Sequence, residues 1–103
     1  MSIKKQYLKS KDLYKVTWAI DKKTANGAEA INLSGSFNDW SHHEHPMEKL
    51  RSGAFKIVME LPKNEEYQFR YLVDQTKWIN EDEADRYTDN QLSNEQNCVI
   101  SLK

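Results

Sequence analysis

Trp40 and Trp78 are the residues of this chain best suited to meet a ligand. Asn38, Asp39, Ser41, His42 and His43 surround the first, and the second stands in similar company. That is turn and surface composition, which gives an indole no reason to be buried. A flat indole matches the apolar C–H face of a sugar ring, and their contact removes apolar area from water at about 25 cal/mol per Å². Neighbouring amides and cations would then hydrogen-bond the hydroxyls and fix orientation. Trp18 differs, because it alternates with Tyr14, Val16 and Ile20 along one strand face and is expected in the core. Arg70 is the candidate cation. It lies on the strand face opposite Tyr67, Phe69, Tyr71 and Val73, so it is expected to point outward. Its forked donors suit a pair of adjacent hydroxyls, although a strand arginine is by default simply solvated.

Other chemistries find less support. His42-His43-Glu44-His45 offers metal-ligand types, but no second Cys or His cluster completes a closed tetrahedral set, so a solvated loop is expected. Glu81, Asp82, Glu83 and Asp85 could supply two carboxylates, yet glycosidases hold theirs about 5–10 Å apart across a cleft, and these crowd one loop. There is no Gly-rich phosphate loop and no nucleophile elbow. No catalytic residue, metal or cofactor is therefore expected. The single cysteine, Cys98, cannot form an internal disulfide, and a reducing, cytoplasmic setting is the simplest expectation.

The elements that must position these residues are strands. Positions 14–20, 55–61 and 67–73 alternate apolar and polar with period two. Residues 30–36 form a further strand with Ile31 and Leu33 inward, 46–50 a short one, and 98–102 the last. Turns fall at 21–29 around Asn26-Gly27, at Ser52-Gly53, at 62–65 and at 74–77, and Trp78 starts a short extended piece. Residues 80–96 read as a polar, acidic loop, with at most one helical turn at 82–87. Residues 1–13 read as an N-terminal arm or irregular edge segment, and 14–103 as the domain. The pattern predicts an antiparallel β-sandwich.

Length and charge narrow the function. With 103 residues the chain is one domain, and a (β/α)8 catalytic barrel, at about 250 residues, does not fit. Fifteen basic and sixteen acidic side chains leave a net charge of -1, which argues against a nucleic-acid partner. No apolar run approaches the roughly 18 residues of a membrane span, and no apolar stretch follows the first lysines to suggest a secretory signal.

Several landmarks stand in order: Leu33-Ser34-Gly35-Ser36-Phe37-Asn38-Asp39-Trp40, Pro46-Met47-Glu48-Lys49, Gly53-Ala54-Phe55, Tyr67-Gln68-Phe69-Arg70-Tyr71-Leu72-Val73-Asp74, Trp78, and Asn97-Cys98-Val99-Ile100. Together they resemble carbohydrate-binding modules of family 48, over roughly residues 14–102. This group includes the early-set domains of isoamylases and glycogen-branching enzymes and the glycogen-binding domain of the AMP-activated protein kinase β-subunit. Lys4-Lys5-Gln6-Tyr7-Leu8-Lys9 and Glu83-Ala84-Asp85-Arg86-Tyr87 are similar to a short stand-alone bacterial isoamylase early-set protein.

The resemblance implies an all-β, immunoglobulin-like early-set β-sandwich that binds α-1,4-linked glucan, polysaccharide or oligosaccharide, without catalysis. It implies that Trp40 and Trp78 sandwich the sugar, with Arg70 in the place of a lysine that bonds hydroxyls. Leu92 would reach into the ring of the sugar chain, and Asn94 and Gln96 would make polar contacts. This chain departs from the family in three places: Gln75-Thr76-Lys77 replaces a shorter glycine turn, arginine replaces the lysine, and residues 81–85 are unusually acidic. Many early-set domains pack on a catalytic barrel and bind little sugar. An adaptor subunit of a glucan-metabolising enzyme is thus the alternative expectation, and a small hydrolase using Glu83 a distant third.

Overall fold

The computed structural model describes residues 1–89 and 95–103. Among the described residues nine strands fall in chain order: β1 (Ser2–Leu8), β2 (Leu13–Ile20), β3 (Ile31–Gly35), β4 (Glu48–Lys49), β5 (Phe55–Pro62), β6 (Glu66–Val73), β7 (Lys77–Ile79), β8 (Arg86–Asp89) and β9 (Gln96–Ser101). They form two antiparallel sheets. The first runs β1-β2-β5-β4 and the second β3-β6-β9-β8, with β7 also paired to β6. This is the antiparallel β-sandwich that the strand pattern predicts, immunoglobulin-like as the family resemblance implies.

Period-two alternation explains the core. Val16, Trp18 and Ile20 of β2 are fully buried and face Leu33, Phe69, Tyr71, Cys98 and Ile100 of the other sheet. The Trp18 and Phe69 rings meet edge-on with centroids 5.9 Å apart, and Phe69 meets Tyr71 in the same way at 5.9 Å. Such pairs add to the burial energy through ring quadrupoles. Gly35 ends β3 where no side chain fits, since an added Cβ would lie 2.3 Å from the Gln68 carbonyl oxygen.

Two segments differ from the sequence reading. Residues 2–8, expected as an irregular arm, form the regular edge strand β1, in register with β2 from Ser2 opposite Ala19 to Leu8 opposite Leu13. Its alternation is masked because the inward position between Ile3 and Tyr7 is Lys5. That lysine reaches the second sheet and donates to Asp85 Oδ2 (2.6 Å) and the Ser101 carbonyl (3.0 Å). The polar stretch 80–96 contains β8, which pairs Arg86 to Asp89 with Val99 to Gln96. An exposed edge strand has no need of an apolar stripe.

Among the described residues the α-helical turn, α1 (Lys22–Ala25), falls within the predicted 21–29 turn, and 82–87 holds none. Asp21 caps it, accepting from Thr24 N (3.3 Å) and Thr24 Oγ1 (2.8 Å), and also from the N-terminal ammonium (2.9 Å). These donors hold the Asp21 carboxyl well below the usual range.

Candidate functional site

The outer face of the second sheet carries Arg70 and Trp78. Along β6, Tyr67, Phe69 and Tyr71 enter the core, so Gln68, Arg70 and Leu72 point the other way. Directly opposite across the strands stand Ser34 to Arg70, Asn32 and Trp78 to Leu72, and Val99 to Gln68. Trp78 is therefore a diagonal neighbour of Arg70, close enough for a long side chain to reach. The Arg70 guanidinium carbon lies over the indole, 5.8 Å from its centroid.

Arg70 points to this face as expected, but it is not solvated. It is 7% exposed. Its Nε donates to Asn80 Oδ1 (2.7 Å) and its Nη1 to Glu95 Oε2 (2.6 Å). Asn80 Nδ2 in turn donates to the Gln96 carbonyl (2.9 Å), tying the end of β7 to the start of β9. The cation is thus held in place by charge-assisted bonds of the stronger kind. Asn80 and Glu95 escaped the sequence reading because their role depends on packing 10 and 25 residues from Arg70.

Trp40 is half-buried at the end of a tight reversal that follows the 3-10 turn Ser36–Asn38. Asn38 builds that reversal. Its Oδ1 accepts from Gly35 N (3.1 Å) and Ser41 N (3.2 Å), and its Nδ2 donates to the Leu33 carbonyl (3.0 Å). Asp39 and Trp40 both sit at positive φ, 53° and 58°. A tryptophan there is uncommon and costs energy that the surrounding bonds must offset.

The two tryptophan loops are joined. Gln75 Nε2 donates to the His42 carbonyl (2.9 Å), and the His42 ring meets Trp78 edge-to-face at 5.4 Å. The turn before Trp78 needs no glycine, because Asp74 and Gln75 take positive φ at 50° and 59°. Asp74 Oδ1 pins that turn by accepting from the backbone N–H groups of Glu29 and Ala30, each at 2.9 Å.

The structure thus brings Arg70, Trp78, Asn80, Glu95 and Gln96 into one connected set and ties the loop of Trp40 to it. Leu92 and Asn94 lie outside the described residues. Gln96 opens β9 and is exposed, with its side-chain amide donating to Asp89 (3.5 Å). His42 and Gln75 were missed as site residues, and only the meeting of two loops reveals them.

The acidic stretch is mostly anchorage. Glu81 is 1% exposed. Its Oε1 accepts from Tyr71 OH (2.7 Å) and its Oε2 from Glu83 N (3.0 Å), while its carbonyl accepts from Tyr87 OH (2.5 Å). Burial pushes the Glu81 carboxyl above its ordinary value and the Cys98 thiol beside it to about 11. Asp85 accepts from Ser101 N (2.7 Å) as well as from Lys5. Burial works to raise its carboxyl, but those donors hold it below the ordinary value. Among the described residues, no group of three or more His, Cys, Asp and Glu could hold a metal ion.

An immunoglobulin-like sandwich whose outer face joins an indole, a fixed guanidinium and side-chain amides has the design of a carbohydrate-binding module. The chain belongs to the family of the glycogen recognition site of AMP-activated protein kinase, whose model matches residues 16–102. This family is one of binding modules rather than catalysts, which supports non-catalytic binding of glucan. A search of curated proteins found no match.

Proposed function

We propose that the chain binds α-1,4-linked glucan through Trp40, Arg70 and Trp78 on the outer face of the β3-β6-β9-β8 sheet, with Gln96 at its border. The residues that the family resemblance adds, Leu92 and Asn94, belong to the same proposal. The observation that carries it is the stack of Arg70 on Trp78, fixed by Asn80 and Glu95. Such a guanidinium and indole are ordered before any ligand arrives, which lowers the entropy lost on binding. Each sugar ring would rest its apolar face on an indole while fixed donors meet its hydroxyls.

Half-exposed indoles cover only part of an oligosaccharide, so dissociation constants on the order of micromolar to millimolar follow. A branched polymer presenting many chain ends would bind more tightly by avidity. Isothermal titration with maltoheptaose tests the reading. Absence of both heat and tryptophan fluorescence change at millimolar sugar would refute it.

The second reading is an adaptor subunit of a glucan-metabolising enzyme. It draws on the outer face of the other sheet, where Lys4, Lys15 and Lys56 are exposed around Val58, itself 41% exposed. A stoichiometric enzyme recovered from glycogen-free lysate, and lost on Val58→Glu, would favour it.

A further inference from the structure

Both arginines on the candidate face are paired with glutamates. Arg70 bonds Glu95 at 2.6 Å, and Arg86 bonds Glu66 at 2.6 Å. Register places Arg86 opposite Val99 and Val99 opposite Gln68, so Arg86 shares the outward face of Arg70. Lys77, next to Trp78, alternates to the other side of β7. The face is therefore rich in guanidinium groups yet close to neutral.

This matters for ligand charge. A guanidinium offering its fork to the ligand is the preferred partner of a phosphate. Here Glu95 takes part of that fork and adds a negative charge beside it. A phosphate monoester on the sugar would bring roughly −1.5 to −2 charges to the same place. Neutral hydroxyls meet no such repulsion, and a carboxylate can also accept from them.

We infer that Glu95 is a specificity-determining residue that restricts this face to uncharged glucan and turns away glucan carrying phosphate esters. The inference rests on the glucan-binding reading above and deepens it. Glu95 is 57% exposed at its side chain, so Glu95→Gln keeps the shape and a hydrogen bond to Arg70 while removing the charge.

The test compares two probes by titration calorimetry at low salt: maltoheptaose, and maltoheptaose bearing one 6-phosphate. The wild-type chain should bind the neutral sugar at least about tenfold more tightly, equivalent to about 1.4 kcal/mol. Glu95→Gln should shrink that preference by about tenfold, read as the ratio of the two dissociation constants whatever the absolute affinity of the variant. A second measurement needs no variant: the wild-type preference should shrink as salt rises from 50 to 500 mM, because screening acts on the exposed carboxylate. An unchanged preference in Glu95→Gln, equal loss of both sugars, or a salt-independent preference would overturn the inference while leaving glucan binding standing. Failure of the wild type to bind either sugar would overturn both.

Discussion

Replacing Trp78 with alanine separates the indole's contribution from that of the surrounding polar groups. In the structure Trp78 is half-buried, with Leu72 opposite it on β6, the Arg70 guanidinium over its ring and His42 against it. A glucose ring laid on the remaining indole face would remove about 100 Å² of apolar surface, counting both partners. At 25 cal/mol per Å² that is about 2.5 kcal/mol. Some of that indole area is already taken by Arg70 and His42, so an expected loss of about 1.5–2 kcal/mol is more realistic. This corresponds to a rise of roughly 10- to 30-fold in dissociation constant.

Truncation also removes packing from β7, at a stability cost of about 1–2 kcal/mol for a partly buried aromatic. A urea titration should therefore accompany the calorimetry, so that binding is read only where the variant is folded. Trp78→Phe supplies the internal control: a smaller aromatic face should weaken maltoheptaose binding by only about three- to fivefold. If Trp78→Ala is folded and binds within threefold of the wild type, the indole is not a sugar platform and the proposal is wrong.

Three further outcomes follow from the packing. Glu81 has a native carboxyl raised by burial, so the unfolded chain ionises first and stability falls as pH rises from the ordinary carboxylate range through the native value; relative to Glu81→Gln, the wild type should lose unfolding free energy over that rise in urea titrations. Asp85→Ala removes the bonds to Lys5 and Ser101 N and should cost about 1–2 kcal/mol at pH 7. Because the native Asp85 carboxyl is lowered, that stability is present above the unfolded carboxylate range, and the gap between variant and wild type should close as pH falls below about 4. Gly35→Ala places a Cβ 2.3 Å from the Gln68 carbonyl and must push β3 off β6, a loss of more than about 3 kcal/mol that circular dichroism should register as a largely unfolded chain.

The strands that build the core were legible in the sequence because they alternate: β2, β5 and β6 each bury one set of positions and expose the other. The antiparallel sandwich followed from them, and its immunoglobulin-like character from the family resemblance. β1 and β8 were not legible, for a common reason. Both are edge strands held by long-range polar contacts, and Lys5 occupies the position that would have completed the alternation in β1.

The site was legible in part. Two tryptophans in polar turns and an outward Arg70 could be read from local sequence, and the structure puts Trp78 and Arg70 in contact. The burial of Arg70 could not be read, because Asn80 and Glu95 cover it from other segments. Glu81 reads as a solvated acid among acids, yet Tyr71 and Cys98 reach it from β6 and β9 and make its burial tolerable.

The arginine that departs from the family's lysine makes sense in this setting. A lysine carries its charge at one point and could not sit over an indole while reaching two acceptors in different directions. Arg70 does all three: its Nε meets Asn80, its Nη1 meets Glu95, and its guanidinium carbon lies over Trp78. Those acceptors belong to the segments that follow β7 and precede β9, so the guanidinium fixes the loop ends as well as itself. The acidic stretch between them is likewise fastened, by Glu81 to Tyr71 and by Asp85 to Lys5 and Ser101. Fixed loop ends are what a shallow binding face requires, since it buries too little of a ligand to offset the ordering of its own side chains. The acidic residues of that loop are therefore in part its anchors, and they help to hold the face that carries Arg70 and Trp78.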